Sequence, residues 1–398
     1  VDYEADQDYI YGIGDGGAIY RRPRTGGSWA LLHDDHQFDS RIFSVIPNGS
    51  GGKRIMTSIG MQIWYSDDLG ATWSLSTGLT GNWYDWGAIQ ILPVNEGANG
   101  VYFLAFTWDW TPWDTRAKLF YSSNRGQSFS LIHTFEHNGV YYEANRFTKI
   151  WSDPGATDLY AFHTSTGGGM YHITGSTVTL LNPLVTVPAN SFVDLDGFEQ
   201  GSSQIFWLLQ YPNTLYKSTN EGLTWSNVGT LPGNPWDVGI MASPLDSNNL
   251  FFGEVDCYRS FNQGANWSQV NIWWQYYGNT DFLHADIMDL KEFTTTGGTD
   301  FILIANHGGL HVSYDSLQTT DNLGETGLTI SQYYDVRTDP SDPDYFYAGT
   351  QDQGHQRSAF ATGSSIANFE QVISGDYGHM AFSNNGSSLW TVYPGGGV

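Results

Sequence analysis

Apolar and polar residues alternate in short runs along the whole chain, and helical periodicity is nearly absent. The runs are bounded by Gly, Asn, Asp and Pro, which end strands and form turns. They recur in a fixed order: an apolar first strand, a second strand, a hairpin, a third strand, a turn and a closing strand. First strands read at 41–47, 88–93 and 147–151, and later copies begin at Ser191, Trp236, His284, Tyr333 and His379. The hairpins centre near Asp15, Gly60, Trp110, Gly167, Tyr211, Val255, His307 and Asp352. Their separation of about 50 residues is that of a four-stranded blade. The expected fold is therefore all-β, a β-propeller of about eight blade units. A seven-bladed ring plus part of a second is the alternative. Radial repetition suits such a chain because it hides the sheet edges.

The ends of the chain refine that count. The first unit opens at what reads as a second strand, Tyr9–Ile13, and a spare first strand lies near the other end, at 379–383. The two could pair and lock the ring. Residues 389–398 resemble the second strand and hairpin of yet another unit, so the propeller is expected to belong to a longer polypeptide. The chain has neither an initiator Met nor a signal peptide and reads as processed or partial.

One turn recurs within the third-to-fourth strand connection. Ser66-Asp67-Asp68-Leu69-Gly70-Ala71-Thr72-Trp73 is its fullest form, and Ser122, Asn124, Gly126 and Phe129 mark the second copy. Ser218, Asn220, Gly222 and Trp225 mark the third, and Ser260, Asn262, Gly264 and Trp267 the fourth. The Asp or Asn side chain bonds backbone amides ahead of it, the Gly accepts a positive φ, and the aromatic packs down on the hairpin. These are structural staples rather than an active site.

Charge narrows the partners. The chain carries 41 acidic and 16 basic residues, a net charge of −25. That balance opposes nucleic acid and anionic membrane, both of which need Lys and Arg to replace counterions. No apolar run is long enough to span a bilayer. The single cysteine, Cys257, excludes an intramolecular disulfide framework and reads as a small buried hydrophobe. Richness in Trp, Tyr and Gly, few lysines, and sequons at Asn48, Asn266 and Asn385 point to a secreted or cell-surface protein.

The S-x-D-x-G-x-T-W turn resembles the Asp box, or bacterial neuraminidase repeat, of sialidase- and sortilin-like propellers. The C-terminal third, from His284-Ala285-Asp286 through Asn306-His307-Gly308-Gly309 to Gly349-Thr350-Gln351-Asp352, is similar to large secreted bacterial surface propellers. Three better-understood branches can be compared. Sialidases imply an Arg triad and an Arg-Ile-Pro signature; Arg41-Ile42-Phe43 departs from it, and no triad can be assigned among 11 arginines. Sortilin-type receptors imply a cysteine-rich module, which is not present here. Xyloglucan-active endoglucanases carry an Asp-x-Gly-Gly-x-Tyr-Arg hairpin whose Asp is the general base. Asp15-Gly16-Gly17-Ala18-Ile19-Tyr20-Arg21 resembles it with one residue of slippage, and the partner acid of that family lies in a second propeller.

Three sets of residues could carry chemistry. Asp15, Asp352 and Asp376 fall at equivalent hairpin or loop ends, where carboxylates serve turns, a cation, or an inverting glycosidase pair. His284, Asp286 and His307 offer imidazole and carboxylate ligands, though in no recognised metal spacing; a hydrogen-bonded cluster is the plainer reading. No cofactor is expected, save structural Ca²⁺ at Asp-rich turns. The aromatic clusters are the most unusual: Trp83 with Trp86, then Trp108, Trp110 and Trp113, then Trp273, Trp274 and Tyr276. Trp beside Asp, Asn or Gln makes a platform for a sugar face, a protein interface, or packing between blades. The expected function is a recognition or structural module that binds a polysaccharide or a protein partner at the cell surface through these aromatics. Self-assembly is compatible with it. The alternative is a glycoside hydrolase.

Overall fold

The computed structural model describes residues 1–393 apart from 15, 40–41, 80–86, 95–98, 110–113, 137–146, 154, 184–186, 188–190, 202, 234–238, 329, 343 and 360–367. The chain forms two compact units, Val1–Leu328 and Thr329–Val398. Helix is confined, among the described residues, to two single 3₁₀ turns, Trp273–Tyr277 and Asn384–Gly386.

In the first unit seven four-stranded antiparallel sheets follow one another, at 2–33, 43–75, 88–135, 148–183, 193–230, 240–269 and 287–322. We number them blades 1 to 7. Second strands are apolar on both faces because a neighbouring blade covers each. In blade 5, Ser203–Gln210 sends Phe206 and Leu208 into the layer shared with blade 4. Ile205, Trp207 and Leu209 point the other way, into the layer shared with blade 6. This period-2 split follows from the pleat, and each such side chain contributes about 1.5–3 kcal/mol on burial. The core is thus a set of layers between blades rather than one centre.

First strands present an open edge toward the central channel, and their N–H groups need acceptors. A side chain on the preceding blade supplies them. Asp2 accepts from Val45 N at 2.7 Å, Asp194 from Ile240 N at 3.0 Å, and Asp196 from Ala242 N at 2.7 Å. Gln90 makes the same link from blade 3 to blade 4, accepting from Ile150 N at 2.9 Å and donating to Ile150 O at 3.1 Å. Asp289 on blade 7 accepts from Val1 N at 2.9 Å, and Lys291 donates to Val1 O at 2.9 Å. Burial acts to raise the Asp289 carboxyl, but Lys291 and the Val1 amine outweigh it and hold it at about 2. Tyr3 packs edge-on against Phe293 and Phe301, and Trp29 Nε1 donates to Leu323 O at 2.7 Å. These contacts close the ring between blades 7 and 1.

Two expectations are corrected here. Blade 1 has its own first strand, Asp2–Glu4, paired with Tyr9–Ile13, so no distant strand is needed to lock the ring. The segment near 379–383 instead forms Met380–Ser383, which pairs with Ser388–Thr391 in the second unit. That unit holds an eighth four-stranded sheet, at 333–373, followed by this two-stranded one. Its Asp335 accepts from Met380 N at 2.9 Å, repeating the carboxylate link. Of its described hydrophobic residues only Ala348 and Met380 are buried. The seven four-stranded sheets of the first unit are thus followed, in the second, by one four-stranded and one two-stranded sheet.

The recurring turn has one geometry in every copy. Ser66 Oγ donates to Asp68 Oδ1 at 2.8 Å and accepts from Gly70 N at 2.8 Å, while Asp68 Oδ1 accepts from Thr72 N at 2.8 Å. The Ser122, Ser218 and Ser260 copies repeat these bonds. A fifth copy appears at Ser313, Asp315 and Thr319, where Leu317 N donates to Ser313 Oγ at 2.9 Å. Leu317 holds a φ of 62°, ordinarily glycine territory, and its fully buried side chain in the layer between blades 6 and 7 offsets that strain.

Removing the turn serine strands a buried N–H. Ser66→Ala is expected to destabilise the protein by about 1–3 kcal/mol, the cost of an unsatisfied buried donor. Urea unfolding should show a lower midpoint at unchanged slope, and Ser122→Ala should behave alike.

Candidate functional site

The antiparallel order places each hairpin and each blade-to-blade connection at the end of the blade away from the Ser-x-Asp/Asn turn. The connection entering blade 7 is the best defined of them, and it carries the sequence Trp273-Trp274-Gln275-Tyr276-Tyr277 in a 3₁₀ turn. Polar side chains fix it at both ends. Asn271 accepts from Leu283 N at 3.1 Å and donates to Leu283 O at 2.9 Å, which closes the loop on itself. Gln275 caps the turn by accepting from Ile272 N at 2.9 Å, and Asp256 accepts from Trp273 N at 2.9 Å.

Beneath the turn lies His284, which is buried. Trp273, Tyr276 and Tyr277 present edges or faces to its ring at 6.0, 5.0 and 5.5 Å between centroids, and the Tyr277 hydroxyl lies 3.1 Å from Nε2. Tyr276 donates to Gly308 O at 3.2 Å, so the turn sits on the hairpin of blade 7. Glycine is required at 308, because a Cβ there would lie 2.6 Å from His284 Cβ and 2.9 Å from the Tyr276 ring. Next to it, His307 Nδ1 pairs with Asp286 Oδ2 at 3.1 Å; Asp286 is held at a φ of 60°. Trp274 is the most exposed residue of the turn, at 56%, and its ring meets that of Trp273 edge-to-face with centroids 5.7 Å apart.

Of the residues singled out from sequence, the structure gathers Trp273, Trp274 and Tyr276 on this one turn. It separates the histidine set: Asp286 joins His307, while His284 is engaged by Tyr277. Asp352 and Asp376 meet in the second unit, where Asp376 Oδ1 accepts from Asp352 N at 2.9 Å and so serves a turn. Asp15, Trp83, Trp86, Trp110 and Trp113 lie outside the described residues; Trp108 falls in strand Gly100–Asp109, its side chain likewise outside them. Cys257 is buried, and burial pushes its thiol up to about 12. Asn271 and His311 belong to the site but carried no sequence signal, since their partners lie 12 and 31 residues away. No helix among the described residues is long and apolar enough to cross a membrane.

No family profile matches the sequence, and no characterised protein matches it by sequence comparison. Solved structures do match. An ancestral GH74 enzyme superimposes with a TM-score of 0.60 at 15% identity, over 89% of this chain and 52% of that one. The chain thus spans about half the length of that enzyme. YCF48 from Cyanidioschyzon merolae matches with a TM-score of 0.51 at 13% identity, over 79% of this chain and 93% of that chain. YCF48 bound to D1 peptide gives 0.49 at 14% identity, over 91% and 98%. At such identities the shared feature is the fold, and the fold is a β-propeller.

His311 ties the site to pH. Its Nε2 lies 3.0 Å from Thr280 O and its Nδ1 3.1 Å from Asn306 Nδ2, so the neutral ring donates to one and accepts from the other. Burial pushes its pKa down to about 4, against a partial upward pull from the Thr280 carbonyl. The unfolded chain takes the proton first, so this stabilisation is complete above about pH 6.5 and is lost as pH falls toward 4. Thermal melts should drop across that window, by up to roughly 3 kcal/mol at its lower end, and His311→Gln should flatten the drop.

Proposed function

We propose that this chain is a recognition propeller of the Asp-box superfamily, secreted or displayed at a cell surface, that binds a glycan through the aromatic turn 273–277. The observation that carries the reading is Trp274: a half-exposed indole on a turn whose every other element is tied down. A rigid, exposed aromatic face loses little entropy when a sugar ring stacks on it. Gln275, Asp286 and His307 on the same blade end supply groups that bond hydroxyls. The five Ser-x-Asp/Asn turns support the Asp-box assignment. A net charge of −25 favours a neutral glycan over an anionic one.

The likeness to a GH74 enzyme is compatible with a glycan ligand and equally with the hydrolase alternative. Asp376 holds the Asp352 backbone through one carboxylate oxygen, which gives Asp376 a turn role.

Affinity electrophoresis in gels containing β-glucan, xyloglucan or arabinan tests the reading. At least one polysaccharide is expected to retard the protein, and Trp274→Ala to weaken retardation at least tenfold, the equivalent of about 1.4 kcal/mol. Retardation that survives Trp274→Ala would move the site elsewhere. Failure of every polysaccharide, with capture of a protein partner instead, would replace the glycan by a protein ligand.

A further inference from the structure

A second histidine cluster lies far along the chain from the aromatic turn. His33 ends the last strand of blade 1, Ala30–His33, and His36 follows in the connection to blade 2. His33 Nε2 and His36 Nδ1 are 2.8 Å apart, and the two rings stack at 4.9 Å with 26° between planes. The pair is built into apolar surroundings. His33 is buried beside Trp73 at 5.1 Å, and His36 lies flat on Phe38 at 5.1 Å and near Trp64 at 5.7 Å.

The proton arrangement follows from the neighbours. His33 also bonds the Gly70 backbone, whose N–H is already committed to Ser66 Oγ. The Gly70 carbonyl is therefore the group that favours a proton on the His33 ring. Between two neutral rings one nitrogen of the 2.8 Å pair carries the proton and the other the lone pair, as the tautomers allow. A proton added on the far side of His36 keeps that bond. With both rings charged the bond is lost, because two N–H groups then face each other across 2.8 Å. Burial and the neighbouring His36 hold His33 below the usual imidazole range, with Asp35, the Gly70 carbonyl and Asp34 pulling weakly the other way.

The connection does more than join two blades. Its residues His36 and Phe38 cover Gly17 in the hairpin of blade 1 so closely that a Cβ there would lie 2.3 Å from Phe38 N and 2.5 Å from His36 O. Asp39 N donates to Ser58 O of blade 2 at 2.8 Å. The segment thus spans from the blade 1 hairpin to the Ser66–Trp73 turn of blade 2. Among the described residues, the charged groups around the pair are Asp34, Asp35 and Asp39 on the segment itself. The elements packed on it present Gly17, Trp64, the Gly70 carbonyl and Trp73, none of which titrates in this range.

We propose that His33 and His36 form a proton-operated latch, closed while at most one of them is charged and released when both are. Release frees residues 34–39 from the blade 1 hairpin and uncovers that end of the ring in acid. The device is independent of which ligand the aromatic turn binds.

Hydrogen exchange on the whole chain, corrected for the intrinsic effect of pH, tests it. Peptides spanning residues 34–39 are expected to lose at least tenfold in protection between pH 7.5 and 5, while peptides from Ser203–Gln210 keep theirs. His33→Gln places a neutral acceptor where Nε2 stood, and should retain protection at pH 5. Wild-type protection that persists to pH 5, or an unchanged loss in His33→Gln, would overturn the latch. Should that variant fold poorly, NMR titration of the wild-type imidazoles decides instead. Two steps separated by more than one pH unit support the shared proton, and independent titration of both rings near pH 6.5 refutes it.

Discussion

A propeller ring holds only if the exposed edge of each first strand finds acceptors, and here the next strand's N–H groups bond to side chains from the blade before. Asp2, Gln90, Asp194 and Asp196 perform this at three of the ring's junctions, Asp289 meets the Val1 amine at a fourth, and Asp335 repeats the link in the second unit. Asp is a poor strand residue by intrinsic preference, so its presence in first strands needs such a reason. The arrangement also explains part of the acidic balance. Some of the 41 acidic residues are structural acceptors facing the channel rather than a solubility coat. Burial pushes Asp196 up to about 7 despite the N–H groups it accepts, which marks the expense of placing carboxylates there.

With the inner edge satisfied, the two ends of the blades are free to differ. One end is closed by the Ser-x-Asp/Asn turns, each of which consumes its polar atoms internally. The other end carries hairpins and connections of unequal length. The aromatic turn 273–277 and the His33–His36 segment both belong to that second class, and both are rigid because side chains cap them. A site there inherits a fixed scaffold while its sequence stays free to vary.

Imidazoles recur where these connections meet the blades. His311 and His33 are both held below their ordinary range, chiefly by burial, so protonation works against the folded form at each. The acid side of the pH range is thus where these two buried imidazoles favour the folded form least.

The repeat was legible in the sequence because strand alternation and turn chemistry are local. The strand pairs that flank the expected hairpins, the four glycine-bearing turns and the aromatic cluster at 273–276 stand where residue pattern alone puts them. The fifth turn has no glycine to mark it, because Leu317 occupies that position, and only its burial between blades makes that φ tolerable. Strand Asp2–Glu4 was equally hidden: three residues, two of them acidic, become a strand through pairing with Tyr9–Ile13 and through the neighbouring edges. Ring closure at seven blades, the splitting of His284 from Asp286 and His307, and the His33–His36 contact all depend on partners from different strands or blades. Period and turn type are written in neighbouring residues; which edges and rings meet is decided only when the blades close on one another.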